Sequence, residues 1–368
     1  MFKSNDISRR AALAGAIGVV SMFVLPAVCA QSTAATEIPE VKVAQVDSDA
    51  AHDAGPGRVH ALATNVPGAR EKLSLFHRAR NASAPRPHAN AVRGAVAADA
   101  FTGPGFYPAD LSSGGGPTLQ RTRMHAIYVN GRGSIASNWG NPERFLRDLN
   151  ESTFIHLTDQ YVGTTADGRY PVGSHSRVRY GTPGKTLFES DIVAIVHAVA
   201  AEHGAGGGNL YHVFLPQGTD TCFDITAQDP TPVCYSPDNP ATFDFCGYHG
   251  AAQFKDIGIV LYSVEPWQGP GSGCEIASPA PNGVLADSVD NILSHETFEA
   301  ITDPLPGLGY SNLTGGVLTF QEIGDECIVF NFTASPGDYF PPTFLINGKP
   351  YSVQTEYSNT YHACATVP

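Results

Sequence analysis

The sequence predicts an α/β fold: a mixed sheet flanked by helices in one disulfide-bearing domain, residues 121–368, preceded by a disordered N-terminal segment. Three observations lead there. Strand-like and helix-like runs alternate from Met124 to Thr302. One of the strand-like runs, Ile257 to Val264, is nearly continuous apolar, as suits a strand buried on both faces. Beyond the leader, Cys222, Cys234, Cys246, Cys274, Cys327 and Cys364 make an even set with no CxxC pair, which reads as disulfides in an exported chain and not as a thiolate zinc site.

The N-terminus has the parts of an export signal. Lys3 and Arg9-Arg10 form a basic start, Ala11 to Leu25 is apolar, and Val28-Cys29-Ala30 ends on a small residue, placing cleavage after Ala30 and making 1–30 the signal peptide. Ser8-Arg9-Arg10-Ala11-Ala12-Leu13 resembles the twin-arginine variant. Residues 31–120 sustain no hydrophobic period. Ala, Pro, Gly and Arg dominate there, and Ser112-Ser113-Gly114-Gly115-Gly116-Pro117 reads as a flexible linker, so the expectation is a disordered spacer or a pro-segment.

The domain's elements follow in order. Met124 to Val129 reads as a strand. Asn141 to Leu149 reads as a helix, with Asn141 as cap, Pro142 at the first position and Phe145, Leu146 and Leu149 as the buried stripe. Ser190 to His203 is a second helix, stopped by Gly204. The glycines from 204 to 208 precede a strand, the wrong order for a phosphate loop, and are a connector. Asn209 to Leu215 and Ile257 to Val264 are the clearest strands, with a Cys-containing excursion from Asp220 to Gly250 between them. Asp287 is expected to cap a helix running to about Thr302, and short strands and turns fill the rest.

Composition narrows the partners. A net charge of −13 over 368 residues argues against nucleic acid, whose phosphates need clustered Lys and Arg. No segment after the leader approaches the roughly 18 apolar residues of a transmembrane helix. The expected localisation is secreted or periplasmic.

Chemistry concentrates in Ser294-His295-Glu296-Thr297-Phe298-Glu299-Ala300-Ile301-Thr302-Asp303-Pro304. On a helix, His295 and Glu299 at i and i+4 share a face one turn apart, with Glu296 beside them. The pattern is close to the HExxH helix of zinc hydrolases, with glutamate in place of the second histidine. Such a site needs two helix ligands, a base beside the metal-bound water and a ligand from elsewhere. His295 and Glu299 are the expected helix ligands, Glu296 the base, and Glu322 or Asp325 the downstream ligand. Asp303 is expected as a further carboxylate or as the group that orients His295, and His249 as a neighbour of the site. Zinc suits the histidine, while calcium is the alternative because it takes many oxygens. The competing reading is an amphipathic helix whose Glu296 and Glu299 face solvent.

Met124-His125-Ala126-Ile127-Tyr128, Cys246-Gly247-Tyr248-His249-Gly250, Pro281-Asn282-Gly283 and Thr302-Asp303-Pro304 occur in one order. That order resembles the phosphate-induced protein 1 or EXORDIUM-like family over residues 121–368. The resemblance implies a secreted, disulfide-bearing α/β domain associated, in plant members, with the cell wall. It does not imply a peptidase, because plant-type members have small or apolar residues at His295-Glu296 and Asn at Asp303. Two functions are therefore expected as rivals. One is a metal-dependent, peptidase-like hydrolase acting on a peptide or cell-wall substrate. The other is a non-catalytic secreted or wall-associated binding protein with a structural ion or none.

Overall fold

The computed structural model describes residues 40–42, 110–224, 232–239, 241–243, 245–276, 279–312, 322–328 and 341–368. The leader and most of the expected spacer lie outside the described residues. Chain order begins with β1 (Glu40–Lys42), β2 (Ser112–Ser113) and β3 (Arg123–Val129), then α1 (Ile135–Trp139), α2 (Pro142–Asn150), a 3-10 turn (Phe154–Thr158) and α3 (Asp159–Val162). β4 (Val172–Arg179) and β5 (Leu187–Phe188) lead into α4 (Glu189–His203) and β6 (Asn209–Phe214). The small strands β7 (Thr221–Cys222) and β8 (Cys234–Tyr235) precede β9 (Tyr248–Phe254), β10 (Gly258–Glu265) and the long helix α5 (Val284–Thr302). β11 (Tyr310–Ser311), α6 (Asp325–Ile328), β12 (Thr343–Ile346), β13 (Lys349–Ser352), β14 (Glu356–Ser358) and β15 (Ala363–Ala365) follow.

The main sheet has the order β1-β4-β3-β6-β10-β9. Its neighbours run parallel except β9, which is antiparallel to β10. Successive strand residues point to opposite faces, so each strand feeds two layers. On one face Ile127, Val129, Val213, Val260 and Val264 pack with Ile192, Ile195, Val196 and Val199 of α4. On the other, Met124, Tyr128 and Phe214 pack with Val289, Leu293, Phe298 and Ile301 of α5 and with Phe145, Leu146 and Leu149 of α2. The predicted mixed sheet between helices is the fold observed, with the expected stripe of Phe145, Leu146 and Leu149 buried.

Three disulfides tie the chain: Cys222–Cys234, Cys246–Cys274 and Cys327–Cys364. They fit a secreted protein. Among the described residues no helix is long and apolar enough to cross a membrane.

Three local expectations are corrected. Ser112–Pro117 is no flexible linker: β2 pairs antiparallel with β11, Gly114 and Gly116 donate to the carbonyls of Gly309 and Leu308, and Leu111 and Leu119 are buried. The apolar anchors on either side outweigh the glycines between them. Helix α5 starts at Val284, so Asp287 lies in its first turn, where its carboxylate accepts from the backbone of Asn282 at 2.6 Å and of Ser352 at 3.2 Å. Residues 248–250 open β9 and so belong to the main sheet, not to the excursion expected from Asp220 to Gly250.

Candidate metal centre

Helix α5 is half-buried over its first three residues and fully buried from Asp287 to Thr302. The reading in which Glu296 and Glu299 face solvent does not hold. A carboxylate taken out of water costs heavily unless it is paired or hydrogen-bonded, so each acidic residue of α5 needs a partner inside the fold. In the first half of the helix Asp287 takes the backbone donors named above and Asn291 Oδ1 accepts from Gln354 N at 2.8 Å, while Asp290 Oδ1 is left without a hydrogen bond and burial, with Asp287 nearby, drives that carboxyl well above its ordinary value. The second half carries His295, Glu296 and Glu299 to a place where three other segments arrive.

The first of these is β9. Its register sets His249 beside Ser263 of β10, and alternation turns His249 and Ala251 to the α5 side, where Ala251 packs with Ala300. The second is the segment Glu322–Ile328, which brings Glu322 and Asp325. The third is β14, which brings Glu356.

Donor atoms converge. His295 Nε2 lies 3.2 Å from Glu299 Oε1 and 3.7 Å from Asp325 Oδ1. His249 Nδ1 lies 3.4 Å from Glu296 Oε2 and 3.4 Å from Glu299 Oε2, and its Nε2 lies 3.7 Å from Glu322 Oε2. Two overlapping groups result, His249 with Glu299 and Glu322, and His295 with Glu296 and Glu299; within each, the candidate ligand atoms lie within 4.8 Å of one another. Bonds of about 2.1 Å in tetrahedral array would set donor atoms about 3.4 Å apart. The separations observed are of that size.

The predicted residues His295, Glu296, Glu299, Glu322 and Asp325 thus come together. Two expectations change. His249, expected as a neighbour only, faces straight into the cluster. Asp303 does not orient His295: its carboxylate accepts from the backbone of Gly307 at 2.6 Å and Gly309 at 2.7 Å, and it holds the turn after α5. Its backbone carbonyl takes a hydrogen bond of 3.0 Å from His249 Nε2. A carbonyl only accepts, so Nε2 carries the hydrogen, and in the neutral ring the lone pair of Nδ1 points at Glu296 and Glu299.

Electrostatics are extreme. Burial alone would push both imidazoles down; the carboxylates overcome it. Glu322, Glu296 and Glu299 raise His249 well above its ordinary value, and Glu299, Glu296 and Asp325 do the same for His295. Glu356, fully buried, is driven well above the ordinary carboxylate value by burial and by Glu299 and Asp325. Glu326, next to Asp325, is pushed up to about 7, mainly by burial.

Sequence reasoning missed Glu356 and a polar row beneath the cluster. Across β9, β10 and β6, His249, Ser263 and His212 stand side by side in register. Ser263 donates to Glu265 at 2.6 Å and sits 2.7 Å from His212 Nδ1. Burial raises Glu265 above the ordinary carboxylate value, against the pull of His212 and Ser263 and with a smaller push from Glu296. The available signal was strand alternation, which puts His212, Ser263 and Glu265 on the face that also carries Leu210 and Leu261.

No family model, no curated protein and no solved structure matches this chain.

Proposed function

We propose that the chain is an exported zinc-dependent hydrolase of the peptidase kind, with His295, Glu299, Asp325, His249 and Glu322 as the ligand set and Glu296 as the base. The observation that carries the reading is the spacing of imidazole and carboxylate donors, 3.2 to 3.7 Å, around shared points. Two imidazoles among carboxylates favour zinc, and calcium stands as the alternative ion. The metal supplies Lewis-acid activation of water. Glu296 accepts the proton at Oε2, which has no hydrogen-bond partner, and passes it to the leaving group. The Asp303 carbonyl keeps His249 in the tautomer that offers Nδ1. A peptide or cell-wall amide is the substrate class this chemistry fits. Kinship with the EXORDIUM-like family belongs to the proposal as well, supported by the order of the four motifs.

A second reading, a structural ion in a secreted binding protein, is favoured by burial: no side chain among His249, His295, Glu296, Glu299, Glu322 and Asp325 exceeds 9% exposure. Metal analysis of the purified full-length protein, hydrolysis of a general protein substrate and the Glu296→Gln variant separate the two. Bound zinc, with hydrolysis lost in Glu296→Gln and metal retained, is the expected result. Bound metal with no hydrolysis by the wild type favours the structural ion. A folded protein that takes up no metal sinks both.

A further inference from the structure

We propose that the centre holds two divalent cations bridged by Glu299. The inference rests on the metal-binding reading above and deepens it. Among the described residues there are two candidate donor groups, His249 with Glu299 and Glu322 and His295 with Glu296 and Glu299, and Glu299 belongs to both.

The carboxylate is divided between them. Its Oε1 faces His295 Nε2 at 3.2 Å and accepts from the backbone N–H of Asp325 at 3.3 Å. Its Oε2 faces His249 Nδ1 at 3.4 Å. Each oxygen therefore has its own imidazole. Each imidazole also has a further carboxylate nearby: Asp325 Oδ1 stands 3.7 Å from the same Nε2 of His295, and Glu322 Oε2 stands 3.7 Å from the other nitrogen of His249, the Nε2 that donates to Asp303, in one donor group with Glu299. A single ion on either oxygen of Glu299 leaves the other histidine beside carboxylate oxygens with only a ring proton to join them.

Charge points the same way. Metal-ligating imidazoles are neutral. Ligating carboxylates must be ionised too, so Glu299, Glu322 and Asp325 as ligands and Glu296 as base, all buried, would carry four negative charges. One divalent cation leaves two of them uncompensated in the interior, and two cations balance all four. Glu296 adds an independent sign. Its Oε2 is buried, lies 3.4 Å from His249 Nδ1 and makes no hydrogen bond. An oxygen so placed is what a metal-activated water would meet between two ions. Paired metals of this type stand about 3.5–4 Å apart, a span that one bridging carboxylate covers.

The test is metal stoichiometry on the full-length wild-type protein, stripped with chelator and reloaded with Zn2+, then separately with Mn2+. Two equivalents per chain are expected at saturation, together with an exchange-coupled Mn2+ resonance spectrum. His249→Ala and His295→Ala are each expected to fall from two equivalents to one. The wild-type measurement decides the matter even if a variant fails to fold. Saturation at one equivalent overturns the pair and leaves a single-metal hydrolase standing, and two equivalents with uncoupled Mn2+ spectra overturn the bridge. Zero equivalents overturn both.

Discussion

A methyl group on residue 324 would sit 2.5 Å from Nδ1 of His295 and 2.8 Å from its Cε1, closer than such atoms approach. Gly324 is thus part of how His295 is aimed, although it has no side chain. Gly324→Ala is expected to turn the ring and weaken metal affinity by about 10-fold or more, the size of effect seen when a ligand's support is removed. Gly208→Ala meets nothing within 4 Å and is the control: titration with Zn2+ should give the wild-type value. An unchanged affinity in Gly324→Ala would show that the ring has another resting place. At this scale the sequence spoke clearly for His295, Glu296 and Glu299, because i, i+1 and i+4 spacing is a local property. It was silent on Glu356 and misjudged His249 and Asp303. Their roles depend on which atom faces which neighbour across long stretches of chain, and residue type does not encode that.

Among elements, α5 is held at both ends by segments that come from elsewhere in the chain. Near its start, α2 and the β12–β13 hairpin form a joint around one carboxylate. Asp148 Oδ1 accepts from Lys349 Nζ at 2.6 Å and Oδ2 from Tyr351 Oη at 2.6 Å. Burial pushes this carboxyl up, but the hydrogen bonds from Lys349 and Tyr351 outweigh it and hold the group below its ordinary value of 3.8. A depressed folded value means that Asp148 stabilises the protein in full above the unfolded value, and that this contribution is lost as the pH falls through the folded one. Asp148→Asn is therefore expected to lower the melting temperature at neutral pH and to flatten its fall at acid pH, read by circular dichroism from pH 7 to pH 2. Parallel curves for the two proteins would refute the joint. The α2 helix was legible from Asn141-Pro142 and its apolar stripe, whereas α5 was legible only in extent. Its polar residues looked like a wet face because their partners in β9, β14 and Glu322–Ile328 carry no period that links them to it. The hairpin had a readable cue that the sequence reading left unused: Asn347 and Gly348, both with positive φ, make the two-residue turn favoured between antiparallel strands.

For the whole molecule, the disulfides divide into two kinds by position. Cys246 lies just before His249, and Cys327 just after Asp325, so Cys246–Cys274 and Cys327–Cys364 each fix a strand or turn that carries ligand candidates. Cys222–Cys234 joins β7 to β8, in a separate small sheet. Loop-closure entropy assigns about 4 kcal/mol to the Cys327–Cys364 bridge and about 3 kcal/mol to Cys222–Cys234. Replacing either pair by alanine should therefore lower denaturant midpoints to a comparable degree. Only the Cys327→Ala, Cys364→Ala protein is expected to lose metal affinity as well. If both pairs, or neither, changed affinity, the division would fail. That an even cysteine count means bridges was legible from composition; that two of the three bridges brace one centre was not, since pairing is set by the sheet and not by spacing. If the proposed ion binds here, the bracing would give maturation a direction: thiol oxidation would complete the cage before the ion settled in it. A chain still in a reducing compartment would present its carboxylates and histidines on slack segments, protected from loading with whichever metal was most abundant there. Oxidation would then act as a licence, coupling the choice of metal to the place where the protein finishes folding.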